Sequence, residues 1–445
     1  MFCYRDSRKS SFDFVSSIRN QFALGLIVAS TVYMTAPGYA QESSENNNST
    51  TRSLDYRTDT RFGGPASPEG QIENRARPRE PAFRFDGIYD SFEDWRDWKS
   101  TLKDEHGFAF SGHYAIAAQG IDNTVDDDSA SGTSGVLRLT GIWELLGRNT
   151  DESGSLVVTL DHRHSFDDPV PANLAGEAGY AGVTNVFFSD IGFAIINLNW
   201  QQRLNGGEGG FIAGRYDPND YMNVLGYVNP WTLFSNLVVQ LDGSIALPDS
   251  SWGIGGGHWL NDQWYVLGGV NDANGNATDD LEFFDGGSEF FTYAHIGWSP
   301  SKADRYYSNI HLMTWNVDER DEAGIDAANG IAFAANWTFD KTWMPFLRLG
   351  YSDGDSPIYN KSATIGAIRK FHYRSDVAGI AISWGELPSN PALVSDEQIT
   401  SEAFWQIQFA RNLEITPNIQ YLKDPAFNPT HSEVWSAGVR ALLTF

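Results

Sequence analysis

The clearest pattern lies at the end of the chain. Phe445, Leu443, Ala441, Val439, Ala437 and Trp435 are all apolar, whereas the residues between them, Thr444, Leu442, Arg440, Gly438, Ser436 and Val434, are mixed and include a charge. Side chains of a strand alternate between faces, so the segment predicts a strand with one greasy and one partly polar face. It is about ten residues long, the length at which a tilted strand crosses a bilayer core. Similar alternation recurs upstream. Leu137, Leu139, Gly141 and Trp143 oppose Val136, Arg138 and Thr140; Leu156, Val158 and Leu160 oppose Val157, Thr159 and Asp161. Ile196, Leu198 and Trp200 oppose Asn197 and Asn199, and Leu347, Leu349 and Tyr351 oppose Arg348, Gly350 and Ser352. Ile331 to Trp337, Trp405 to Phe409 and Ile415 to Tyr421 repeat the pattern.

A soluble sandwich alternates too, because one of its faces is buried and the other solvated. Two features favour a membrane barrel. Aromatics gather at the ends of the apolar faces (Trp143, Trp200, Trp298, Trp337, Trp384, Trp405, Tyr421, Trp435), as at two membrane interfaces. Connections are short at 205–209, 339–342 and 411–412 but long and polar at 120–134, 271–289, 317–329 and 386–400. Short turns at one end and long loops at the other mark outer-membrane barrels. The expectation is an all-β fold, a transmembrane antiparallel β-barrel. Residues 85–445, at roughly 22 residues per strand with its loop, give about 16 strands.

Helical spacing occurs in one place. Phe92, Trp95, Trp98 and Leu102 precede Gly107, which predicts a short amphipathic helix at about 91–105, either interfacial or packed on a core. Residues 41–84 are polar and proline-rich and read as a disordered or extended N-terminal arm. Residues 1–40 read as a signal peptide: Arg5, Arg8, Lys9 and Arg19 are basic, Phe22 to Val32 is apolar, and Gly38-Tyr39-Ala40 offers a cleavage site.

Composition narrows the chemistry. The only cysteine, Cys3, lies in the predicted signal, which argues against a disulfide framework or a cysteine-ligated metal. A net charge of −26 opposes nucleic-acid binding by counterion release. No Gly-x-Ser-x-Gly, His-Glu-x-x-His or phosphate-loop motif is present, so no catalytic residue and no cofactor are assigned. His162 and His164 share a strand face without a third ligand, and the loop from Asp272 to Asp280 misplaces its glycine for an EF-hand, so no metal is expected. Arg138, Arg163, Arg348 and Arg440 oppose apolar neighbours and should face a lumen. With Arg215 they form the candidate pore-lining set, because a guanidinium fork can donate to sugar hydroxyls. The competing role is to brace the wall through acidic partners.

The segment LEITPNIQYLKDPAFN, with Pro417, Gln420, Tyr421 and Pro425, and the final strand ending on Phe445 resemble the OprB-type carbohydrate-selective porins of bacterial outer membranes. FEDWRDWKSTLKDEHGFAFSGHY, GGFIAGRYDPNDYM, VLGGVNDANG and SDVAGIAISWGE are similar to further segments of that family in the same order, so the resemblance spans about 88–445. The helix departs from the glycine-rich Gly-Asp-Trp-Gly-Gly usual there, and the arm at 41–84 is additional. The resemblance implies an outer-membrane porin passing small neutral sugars by diffusion, in contact with lipid and lipopolysaccharide, as a monomer or a homo-oligomer such as a trimer. The alternative is a secreted, soluble β-rich protein that binds or cleaves carbohydrate.

Overall fold

The computed structural model describes residues 62–77, 79–226, 229–278, 289–320, 324–371 and 374–445. The predicted signal peptide and the arm up to residue 61 lie outside them. Sixteen strands form one closed antiparallel barrel in which each pairs with its sequence neighbours. They are β1 (Phe108–Ile121), β2 (Ala130–Leu146), β3 (Gly154–Ser165), β4 (Gly192–Leu204), β5 (Gly209–Tyr216), β6 (Ser251–Trp259), β7 (Trp264–Asp272) and β8 (Phe290–Trp298). The second half comprises β9 (Ser308–Val317), β10 (Ala328–Trp337), β11 (Trp343–Asp353), β12 (Lys361–Lys370), β13 (Val377–Glu386), β14 (Glu397–Ala410), β15 (Leu413–Lys423) and β16 (Glu433–Thr444). Closure is made by β1 against β16, with His113 opposite Thr444 and Ile121 opposite Ser436. Both the expected strand number and the antiparallel barrel are therefore found.

The connections after even-numbered strands run from two to nine residues and lie at one end with both Phe108 and Phe445; those after odd-numbered strands run from seven to 34 and lie at the other. Turn chemistry fits. Asn205, Gly206 and Gly207 between β4 and β5 all have positive φ, which asparagine and glycine adopt at low cost.

The faces follow the sequence pattern. Leu139, Trp143, Ile331, Leu349, Trp435 and Leu443 are exposed on the outer wall, while Arg138, Thr140, Arg348, Ser436 and Arg440 are buried inside. Ile196 is a correction. It was expected outward with Leu198, but a register shift between Thr159 and Leu160 displaces β4 by one residue there. A bulge reverses the alternation, and Ile196 packs inward with Ala194 and Ala277.

The arm is a second correction. Its described part is neither disordered nor wholly extended: Pro68–Ala76 form a helix, α1, capped by Ser67, whose hydroxyl accepts from Gly70 N at 3.2 Å. Serine at the cap, proline at the first position and Glu69 in the first turn are the local reasons for a helix there. After α2 (Asp86–Asp90), the predicted amphipathic helix is α3 (Glu93–His106), ended by Gly107 at φ 70°. It buries no residue in a core. Trp95 and Trp98 instead meet the ring of Phe110 on β1 edge-on, at 5.7 and 5.8 Å between centroids, and stay partly exposed.

Candidate functional site

A sixteen-stranded barrel encloses a lumen, and the inward face of this one is polar: Asn197, Asn199, Thr364, Gln406, Asn418 and Gln420 all point into it. These residues are nevertheless buried, because three segments fold into the barrel. They are the β3–β4 connection (166–191), the β5–β6 connection (217–250) and the arm from Phe62 through α1.

The β5–β6 connection crosses to the wall formed by β11 to β16. Glu402 on β14 accepts from Ser235 N and Oγ, both at 2.8 Å, and from Asn236 N at 3.0 Å. Arg440 donates to the carbonyls of Pro230, at 2.6 Å, and Leu233. Arg348 donates to those of Val239, at 3.3 Å, and Gln240. Phe234 meets Phe404 edge-on at 4.7 Å. The β3–β4 connection joins it: Leu237 N donates to Val183 O at 2.9 Å, and Phe187 stacks on Trp231 at 4.4 Å with 8° between the rings.

A charged cluster faces that aromatic pair. Arg138 binds Asp161 through both arms of its fork, at 2.6 and 2.8 Å, and Arg163 donates to the same carboxylate at 2.9 and 3.1 Å. Strand alternation alone places all three inward, from β2 and β3. The guanidinium of Arg138 lies 4.5 Å from the centre of Trp231, and that of Arg163 lies 5.0 Å from Phe187. Such stacking is favourable for a desolvated cation. Two fixed forks, one carboxylate and flat aromatic faces are groups that can bind a hydroxyl-rich ring by edge and by face.

Of the five arginines expected to line the pore, all are buried in the interior. Asp161 brings Arg138 and Arg163 together. Arg348 and Arg440 hold the β5–β6 connection, and Arg215 donates to the carbonyl of Asn276 in the β7–β8 connection. The bracing role is thus present: the last three donate to backbone carbonyls, with Asp242 near Arg348 and Glu402 near Arg440.

Sequence reading missed the two inserted connections, having named other loops as the long ones. A signal was available: Trp231, Leu233, Phe234, Leu237, Val238, Val239 and Leu241 are apolar without strand alternation, inside what had to be a loop. Also missed were Asp217 and Asp220, which flank a turn of that connection. Burial and neighbouring Asp249 push the Asp217 carboxyl up to about 6, and burial with Asp217 nearby raises Asp220 well above the usual range. Burial and nearby Arg138 lower Arg75 of α1 to about 9. Among the described residues no three histidine or carboxylate side chains are grouped to hold a metal ion.

Towards the short-turn end lies an opening, partly exposed to solvent, lined among others by Phe62, Gln201, Arg203, Tyr221, Gly257 and Tyr293.

Comparison with known proteins supplies the remaining observations. Residues 298–445 match the model of the family described as carbohydrate-selective porin, OprB family. No curated protein matches the chain. Among solved structures, the high-pH structure of Pseudomonas putida OprB is similar with a TM-score of 0.65 and 15% identity, covering 79% of this chain and 97% of that one. Its low-pH structure gives a TM-score of 0.49 at 14% identity, with the same coverage. A mutant of Rh. blastica porin gives 0.45 at 13% identity, covering 76% of this chain and 100% of that one. The first of these likenesses supports the barrel fold.

Proposed function

We infer that this chain, whose last third matches the carbohydrate-selective porin, OprB family, is an outer-membrane porin through which small saccharides diffuse. The observation that carries the reading is the closed barrel with an apolar outer wall and a polar interior. A closed sheet leaves no unpaired edge, which is the condition for crossing a bilayer with strands. Ile254, Ile365, Ile380 and Ile382 all stand exposed on the outer wall, a band that a secreted soluble protein would not carry into water. The soluble carbohydrate-binding or glycoside-cleaving alternative is accordingly disfavoured.

On this reading transport is passive and no covalent chemistry is done. Arg138 and Arg163, oriented by Asp161 and backed by Phe187 and Trp231, are assigned as the sugar-contacting group. Arg215, Arg348 and Arg440 are assigned to shaping the channel by holding its connections. The outer wall meets lipid and, on the long-loop side, lipopolysaccharide; the working unit is a monomer or a trimer. The test is single-channel conductance of the purified protein while glucose or a disaccharide is titrated. A weak, saturable block that Arg163→Ala diminishes supports the assignment. A channel indifferent to every sugar leaves a general porin, and absence of any channel contradicts the reading.

A further inference from the structure

The described part of the arm has both its limits at one end of the barrel. Phe62 lies between Trp259, at the end of β6, and Arg305, in the turn after β8. At the other limit of the arm, Ala82 N donates to Gln408 O at 2.7 Å and Phe83 N to Phe409 O at 3.0 Å, beside the short turn after β14. Short turns face the periplasm in outer-membrane barrels. The segment between these points, including α1, therefore forms a re-entrant hairpin inserted from the periplasmic mouth.

Its mouth end is seated in prepared ground. The ring of Phe62 lies 6.3 Å from Trp259 and 6.2 Å from Tyr265, with the Arg305 guanidinium 5.0 Å from its centre. The wall beneath it is Gly257, where a Cβ would come within 2.7 Å of the ring. Only glycine leaves that space. Gly63 O accepts from the Tyr306 hydroxyl, and Gly64 N donates to Asp220 O at 2.7 Å. In α1, Arg75 donates to Ser111 on β1 at 3.1 Å. The fit of the helix is incomplete. Both carboxylate oxygens of Glu69 are buried with no hydrogen-bond partner among the described residues. A buried polar group without a hydrogen-bond partner is costly, and leaving the lumen for water relieves that cost. The segment is thus held by a specific seat at its mouth end, while the Glu69 carboxyl of its helix gains no hydrogen bond from the lumen. Phe62 also forms part of the lining of the opening at the short-turn end, so its departure would widen that opening.

We propose that residues 62–77 are a displaceable plug that closes the periplasmic mouth, hinged at Ala82–Phe83 and latched by Phe62. This rests on the porin reading above. The chain suits a cross-linking test, because its single cysteine is Cys3. A Cβ on Gly64 would stand 3.2 Å from that of Val224 in the β5–β6 connection, a few tenths of an ångström short of the range of about 3.5–4.5 Å spanned by disulfides, a gap that a small backbone shift closes.

The experiment measures bilayer conductance of four full-length or internally deleted forms: wild type, Gly64→Cys/Val224→Cys, Phe62→Ala, and a deletion of 62–77. Heat-modifiable migration confirms that each barrel is folded. The double-cysteine form should conduct severalfold less when oxidised than when reduced, the reduced form matching wild type. Phe62→Ala should spend more time open, and the deletion should be open throughout. Equal currents from the oxidised and reduced double-cysteine form, with the disulfide verified, overturn the plug even if the deletion widens the channel, for the segment is then a fixed lining. Absence of current from every form, the deletion included, overturns the porin reading itself and is thereby distinguishable.

Discussion

At the scale of single residues, the arginines divide by what they touch. Arg440 donates to two loop carbonyls and lies opposite Glu402, so truncating it leaves buried acceptors bare. Each such group costs about 1–3 kcal/mol. Arg440→Ala should therefore loosen the 217–250 connection, seen as faster proteolysis there and a lower denaturation midpoint; unchanged proteolysis would show that the loop is held otherwise. Asp217 gives a pH-dependent counterpart. Its folded-state value is raised from 3.8 to about 6, so the folded protein holds the proton more tightly than the unfolded chain does. Stability from this group is complete below about pH 4 and is lost as pH rises through about 6. Asparagine keeps the oxygen that accepts from Asn219 N at 2.9 Å. Asp217→Asn should consequently raise the melting temperature at pH 7 and not at pH 4. An equal effect at both pH values would place the cause in packing.

At the scale of elements, strand faces were legible because a period of two survives without any knowledge of partners. Arg348, Arg440 and Leu443 all stand on the faces that alternation assigns them. Ile196 was illegible, since a bulge is set by the neighbouring strand and leaves no local mark. The lumen was legible only in its polarity. What fills it depends on where two connections and the arm travel, and periodicity carries no information about a path. Ser67-Pro68-Glu69 is a helix start within a proline-rich stretch, and average composition concealed it. The assigned faces can be tested on one strand. Leu443 is exposed on the outer wall, whereas Thr444 accompanies Arg440 on the inner one. Leu443→Arg should destabilise insertion by about 2–4 kcal/mol if it lies near the midplane and less near an interface. Thr444→Arg should be much milder in the same folding titration in lipid vesicles. Equal losses would contradict the facing.

At the scale of the whole molecule, every strand has two partners only because β16 returns to β1, so the integrity of the barrel is concentrated at that seam. The last residue takes part. Phe445 N donates to Gly112 O at 3.0 Å, Gly112 N donates to Phe445 O at 3.2 Å, and the Phe445 ring covers Gly112. A Cβ at Gly112 would lie 2.4 Å from that ring, closer than carbon atoms approach. Overpacking of this kind costs about 1–3 kcal/mol. Gly112→Val should displace the ring, weaken the terminal pairing and lower the temperature at which the compact, fast-migrating form converts to the unfolded one on a denaturing gel. If the clash is the cause, Gly112→Val combined with Phe445→Ala should recover part of the loss. If the double variant falls below both single variants, the seam is instead held by the phenylalanine ring as an anchor in the membrane interface, independent of the glycine beneath it. The wild-type barrel should show the heat-dependent shift and require detergent for extraction, and recovery of folded protein in a detergent-free periplasmic fraction would contradict a sheet closed within a membrane.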